Sequence, residues 1–167
     1  MDLDNATYVS WARFHQDLPY FCDQLPPDTV GLIGIPRSGM MVASLMGLHM
    51  NLPVGDVYSF VRSGSLWSVG RKFANQPVAE KGTLVIVDDS LNTGKSMLEA
   101  VDMVSEAVQP QMRVRTASMY TTSEKRDAVD YCSCEIPMPR AFAWNWHAKR
   151  AAQHWMLEVE HALYKQR

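Results

Sequence analysis

Two adjacent carboxylates, Asp88 and Asp89, stand just ahead of a short polar run, Asn92-Thr93-Gly94-Lys95-Ser96. Ionised carboxylates accept hydrogen bonds from hydroxyls and suit a hard divalent cation such as Mg2+. They are badly placed to hold a bare phosphate. The run behind them is the opposite. Thr93 and Ser96 bring hydroxyl donors, and Gly94 lets a ligand approach the backbone. A helix starting there would present unpaired N–H groups and a partial positive charge, which favour an anion. One loop that takes a phosphate and, beside it, a diol or a metal implies a phosphorylated sugar.

The flanking residues supply the supports. Leu84, Val85, Ile86 and Val87 are apolar at every position, which predicts a central parallel strand covered on both faces. Met97, Leu98, Val101, Val104 and Val108 recur at three- and four-residue spacing, which predicts a helix. A second unit of the same kind lies upstream. The apolar run 30–35 leads into Pro36-Arg37-Ser38-Gly39, and Met41, Val42, Ser44, Leu45 and Leu48 then suggest a helix. Arg37 can clamp phosphate oxygens, while Ser38 and Gly39 can offer hydroxyl and backbone donors. The G-K-S string suggests a nucleotide-binding P-loop, but that pattern needs Gly at position 89, which is Asp. An ordinary strand–turn–helix with an Asp cap is the plainer alternative. Two such loops in one chain leave it little room.

The remaining chain is read more coarsely. Residues 7–25 have helical spacing, with Ser10 or Thr7 as cap and Pro19 expected to break or kink the segment. His15 reads as a surface or core-edge residue. Residues 51–61 read as a strand, Val57 and Val61 alternating with Ser59. The interval 62–81 has weak periodicity and reads as a long loop, a length usually reserved for function or motion. Residues 112–120 alternate as a strand, 123–129 form a turn or short helix, and 131–136 a further strand. Cys132 and Cys134, two apart, are expected on one strand face, with too few neighbours for a zinc site.

Composition is that of one ordinary globular domain: 167 residues, 47% hydrophobic, 20% charged, net charge −2. That balance does not favour general nucleic-acid binding. No apolar run reaches membrane-spanning length, the acidic start is no signal peptide, and three scattered cysteines point to a reducing cytoplasm.

The strings V-I-V-D-D-x-x-x-T-G-K-S and G-I-P-R-S-G-M resemble the phosphoribosyl-diphosphate (PRPP) loop and the diphosphate loop of type I phosphoribosyltransferases. The resemblance covers roughly residues 30–146. It implies an α/β fold, a mostly parallel sheet flanked by helices. A small hood from 1–29 and 137–167 would complete a single domain spanning 1–167. It implies a Mg2+-dependent glycosyltransferase of nucleotide metabolism or salvage. Such an enzyme moves the 5-phosphoribosyl group between PRPP and a nitrogenous base or nucleotide and releases diphosphate. A homodimer is allowed for. Asp88 and Asp89 would hold the ribose hydroxyls and the metal. Asn92, Thr93, Gly94, Lys95 and Ser96 would bind the 5-phosphate, and Arg37, Ser38 and Gly39 the diphosphate. In the family the interval 62–81 holds a flexible loop that closes over the site. Arg71 and Lys72 would there bring positive charge to the leaving diphosphate, unless they form only a solvated basic turn. Trp144 and Trp146 would line the base pocket or else pack under a C-terminal helix. Purine-using members usually carry Asp where this chain has Asn92, so Asn92 facing the base points away from an ordinary purine enzyme. A non-catalytic PRPP- or nucleotide-binding regulator of the same fold is the alternative.

Overall fold

Strand β5 (Gly82–Leu91) is the axis of the molecule, pairing in parallel with β1 (Thr29–Gly34) on one side and β6 (Met112–Thr121) on the other. The structure is a computed structural model that describes residues 9–67, 75–77, 79–91 and 93–136. The continuous apolar run of β5 is explained by its two-sided burial. Val85 and Val87 enter one core layer, Leu84 and Ile86 the other, and all four are fully buried. Trimming any of them to Ala would cost ~2–4 kcal/mol in lost transfer energy and cavity.

The sheet runs β4-β3-β2-β1-β5-β6-β7. Strands β2 (Val54–Asp56) and β7 (Tyr131–Glu135) continue the parallel pairing, and β3 (Ser65–Trp67) and β4 (Asn75–Pro77) close one edge in antiparallel fashion. Helices α1 (Trp11–Asp23) and α2 (Ser38–Met50) bury Phe14, Leu18, Phe21, Val42, Ala43 and Met46 on one face. Helices α3 (Val57–Ser63) and α4 (Lys95–Ala107) bury Val57, Phe60, Met97, Ala100 and Val104 on the other. The expected α/β fold, mostly parallel with helices on both faces, is the observed one. Within the segment expected to form a hood, α1 packs on α2 and β7, while 137–167 lies outside the described residues. Among the described residues no helix is long and apolar enough to cross a membrane.

Several local expectations are corrected. Pro19 lies inside α1, which continues to Asp23. Phe14 and Leu18 before the proline and Phe21 and Cys22 after it are all buried. Their combined burial outweighs the ~3 kcal/mol that a proline costs in a helix. Ser10 caps α1, accepting the Arg13 N–H at 3.1 Å. The expected strand over 51–61 is mostly not a strand. Asn51 ends α2 in the left-handed region at φ 56°, β2 spans Val54–Asp56, and α3 takes over at Val57. The Asp56 carboxylate caps α3 by accepting the Ser59 N–H at 3.0 Å. Val57 and Phe60, three apart, point inward, so the helical period won over the Val57–Val61 alternation. The interval 62–81 contains β3 and β4 rather than only loop. Cys132 packs in the α3/α4 layer and Cys134 against the α1/α2 layer, so the two thiols do not share a face. The 3-10 helix Ser123–Ala128 precedes β7, as the short-helix reading of that segment expects.

Candidate functional site

Because β1 and β5 are direct parallel neighbours, the loops that follow them emerge side by side at the carboxyl ends of the strands, where open α/β sheets bind ligands. The seam continues past the end of β1: the Ile35 N–H donates to the Val87 carbonyl at 2.9 Å. The chain then turns over Pro36 and Arg37, whose peptide is cis, and the Met40 N–H returns to the Ile35 carbonyl at 3.1 Å. Gly39, in the first turn of α2, is pressed against the end of β5. A Cβ there would lie 2.6 Å from the Val87 carbonyl oxygen and 2.9 Å from both Cα and Oδ1 of Asp88. Only a glycine lets α2 begin this close to the acidic pair. The Arg37-Ser38-Gly39 loop and Asp88, fifty residues apart in the chain, are thus packed together, with Ser38 buried and Arg37 exposed beside it.

The acidic pair is held by local hydrogen bonds. The Asp89 N–H donates to Asp88 Oδ1 at 2.9 Å, and Ser90 Oγ donates to Asp89 Oδ2 at 3.4 Å. Asp89 is buried and Asp88 half-buried. Burial first, and then the charge of Asp89, push the Asp88 carboxyl well above the usual carboxylate range. Two carboxylates this close resist ionising together. Hydroxyl donors or a cation arriving from a ligand would relieve that repulsion. No group of three or more His, Cys, Asp or Glu able to hold a metal alone exists among the described residues. A pair of carboxylates does fit Mg2+ in its usual manner, where substrate oxygens and water complete the shell.

The turn after β5 is built differently. Gly94 has φ +81° and open space around its missing Cβ, so conformation rather than crowding requires glycine. The Lys95 N–H donates to Thr93 Oγ1 at 3.3 Å, and the Leu98 N–H makes the first helical bond to the Gly94 carbonyl at 3.0 Å. Thr93, Lys95 and Ser96 are exposed, and no acidic side chain occupies the first turn of α4. Lys95 makes a solvent-exposed pair with Glu99 at 3.8 Å, which holds it weakly. The turn therefore offers backbone donors, hydroxyls and a cation to an anion next to the acidic pair.

The family model for the phosphoribosyl transferase domain matches residues 22–152, which include both loops. The chain belongs to that family. It is similar to an orotate phosphoribosyltransferase of Pyrobaculum aerophilum, 36% identical over 73 residues, or 44% of this chain and 36% of the relative. The match thus spans little more than a third of that relative's length. Among solved structures it is similar to the Helicobacter pylori xanthine-guanine-hypoxanthine phosphoribosyltransferase. That likeness has TM-score 0.63 and 18% identity, covering 88% of this chain and 98% of the other. It is also similar to a purine phosphoribosyltransferase from Pyrococcus horikoshii. Here the TM-score is 0.59 and the identity 19%, covering 83% and 92%. At these identities the structural likenesses show the shared fold.

The structure thus seats Gly39, at the end of the Arg37-Ser38-Gly39 loop, against Asp88, and sets Thr93 to Ser96 at the start of α4. Arg71, Lys72, Asn92, Trp144 and Trp146 lie outside the described residues. Sequence reasoning missed the end of β6. Ser118 pairs in register with Asp88 and Tyr120 with Ser90, so β6 forms the far wall of the acidic pair. Ser118, Thr121 and Thr122 are buried polar residues there. A cluster of hydroxyls, Ser118, Tyr120 and Thr121, in the continuously buried second half of an alternating strand was the available signal. A roomy cavity of about 950 Å3, lined by Phe60, Glu80, Lys81, Gln109 and Met112 among others, lies at the opposite pole by the start of β5 and contains none of the expected site residues.

Proposed function

We propose that the protein transfers the 5-phosphoribosyl group between PRPP and a nitrogenous base with release of diphosphate. The observation that carries this reading is the packing of Gly39 against Asp88, which joins two anion-type loops at one acidic pair. A ligand with a phosphate at one end, a diol in the middle and a diphosphate at the other matches that order. Thr93 to Ser96 would bind the 5-phosphate, Asp88 and Asp89 the ribose hydroxyls, and Arg37 to Gly39 the diphosphate. Arg71 and Lys72 would shield the departing charge, and Trp144 and Trp146 would stack on the base. Mg2+, held by Asp88 or Asp89 together with ligand oxygens, would supply further neutralisation of the diphosphate.

In this reading the chain's main work is placement and charge stabilisation. Holding base and sugar in line removes entropy from the barrier, and donors aimed at the leaving oxygens stabilise charge as it develops. Losing one such donor typically costs ~100-fold in rate. The three cysteines are free, which suits a reducing cytoplasm.

The test is calorimetry with PRPP and Mg2+, followed by diphosphate release over a panel of nucleobases. Absence of both heat and thermal shift with PRPP and with nucleoside monophosphates would end the reading. Heat without diphosphate release from any base would leave a PRPP-binding regulator. For the acceptor, an amide at position 92 cannot serve as a general base near neutral pH. Little purine turnover is therefore expected, and Asn92→Asp should raise it. Efficient native use of hypoxanthine, guanine or adenine, without gain on substitution, would remove position 92 from that role.

A further inference from the structure

Tyr120 is almost completely buried, yet it carries a hydroxyl. A buried phenol must find a partner or lose the desolvation energy of its O–H. Its partner comes from a different layer: Tyr120 Oη donates to Asp17 Oδ2 at 3.0 Å, across 103 positions of sequence. Asp17 sits on α1 with its side chain 13% exposed and is itself oriented by Arg13, whose Nε donates to both carboxylate oxygens at 2.8 and 2.7 Å. The tie is reinforced on the neighbouring strand. Ser133 Oγ donates to the Asp17 carbonyl at 3.4 Å, and Arg13 Nη2 reaches Cys134 Sγ at 3.7 Å. Burial, and then the adjacent Asp17 carboxylate, push the phenol upward, so the hydroxyl remains a donor across the physiological range.

What makes this more than a packing detail is where Tyr120 stands. It is in register with Ser90, the residue after the acidic pair, and Thr121 is in register with Leu91, which ends β5. Two residues earlier on β6, the Ser118 hydroxyl donates to the Tyr120 carbonyl at 2.7 Å, and Ser118 is itself opposite Asp88. The end of β6 is thus pinned from behind by α1 and in turn supports the end of β5.

We infer that Asp17 and Tyr120 are positioning residues, through which the N-terminal helix sets the acidic pair and the turn that follows it for binding a sugar phosphate. The inference rests on the reading of Asp88 to Ser96 as the ribose 5-phosphate site. Neither residue need touch the ligand. The tie acts by fixing the wall against which Ser90 and Leu91 are held.

The experiment uses the full chain and three variants. Tyr120→Phe keeps the ring and deletes only the hydroxyl. Asp17→Leu removes the acceptor, and Asp17→Asn keeps an acceptor for the phenol while losing the charge that faces Arg13. Binding of ribose 5-phosphate, and of PRPP with Mg2+, is measured by calorimetry. Amide hydrogen exchange is followed in the ligand-free proteins. Tyr120→Phe and Asp17→Leu should each weaken both ligands by about three- to tenfold, the worth of one buried hydrogen bond, and Asp17→Asn should restore most of the loss. Exchange should quicken at 89–91 and 120–122 and stay slow at 31–34 and 84–87. Native-like affinity in Tyr120→Phe, or exchange quickened uniformly through the sheet, would overturn the inference and leave the pair a plain stability contact. If the native protein binds neither ligand, the sugar-phosphate reading fails, and the exchange pattern still decides whether α1 controls the end of β5.

Discussion

The two strand–loop–helix units that converge on the acidic pair use the same plan with opposite engineering. After β1 the end of the loop is buried: Pro36 and Arg37 are exposed, but Ser38 and Gly39 are covered, and α2 is apolar enough to lie against both α1 and the sheet. After β5 the turn is open: Thr93, Lys95 and Ser96 face water, and only one side of α4 is buried. Each unit needs a glycine, for different reasons. Gly39 has no room for a Cβ, whereas Gly94 has room but holds φ +81°. A loop built by crowding is rigid before ligand arrives. One built by a permissive backbone leaves its donors free for the ligand to engage.

That contrast can be broken most forcefully at Gly39. A Cβ at 2.6 Å from a main-chain oxygen cannot be relieved by a side-chain rotation, so α2 or β5 must move. We expect Gly39→Ala to lose ~3 kcal/mol of stability, the cost of an overpacked core, and to abolish PRPP binding. Denaturant unfolding and calorimetry check it, and a stable variant that binds normally would show that the two loops are not in contact. Gly94→Val should cost less, ~1–2 kcal/mol for the left-handed backbone, and should weaken ribose 5-phosphate and PRPP alike. Were it instead as damaging to the fold as the Gly39 change, the open turn would have to be crowded after all.

Smaller effects sharpen the division of labour. Thr93→Val keeps the volume and deletes the hydroxyl that accepts the Lys95 N–H. Thermal stability should fall by no more than ~1 kcal/mol, with ribose 5-phosphate affinity down about fivefold. The two exposed cations, Arg37 and Lys95, should separate by ligand. Arg37→Met is expected to weaken diphosphate and spare ribose 5-phosphate, and Lys95→Met the reverse, each within ~0.5 kcal/mol of native stability. Identical losses for both ligands in both variants would mean that the loops do not divide the ligand as proposed.

Legibility followed the strength of the local signal. The β5 run was readable because four consecutive buried residues leave few structures open, and the glycine-bearing loops because polar chemistry interrupts apolar order. The α3 helix was misread because Val57, Ser59 and Val61 satisfy a strand pattern. The competing signal, Asp56 three residues before Ser59, is short and of a kind that caps many turns. Pro19 was given its intrinsic cost without the tertiary burial that overrides it. The Asp17–Tyr120 bond was not legible at all, because a contact between residues so distant in sequence leaves no local pattern. Its visible trace, a tyrosine among the hydroxyls at the end of β6, does not name a partner.

The β1–β5 seam has a consequence for chain economy. The strands β2, β3 and β4 all lie outward of β1, toward the sheet edge, and the chain is back in the middle of the sheet at Gly82. The length of that excursion enters the free energy of closing the seam only logarithmically, so doubling a flexible excursion would cost ~0.6 kcal/mol. The seating of Gly39 on Asp88 therefore depends only weakly on how long the chain between β2 and β5 is.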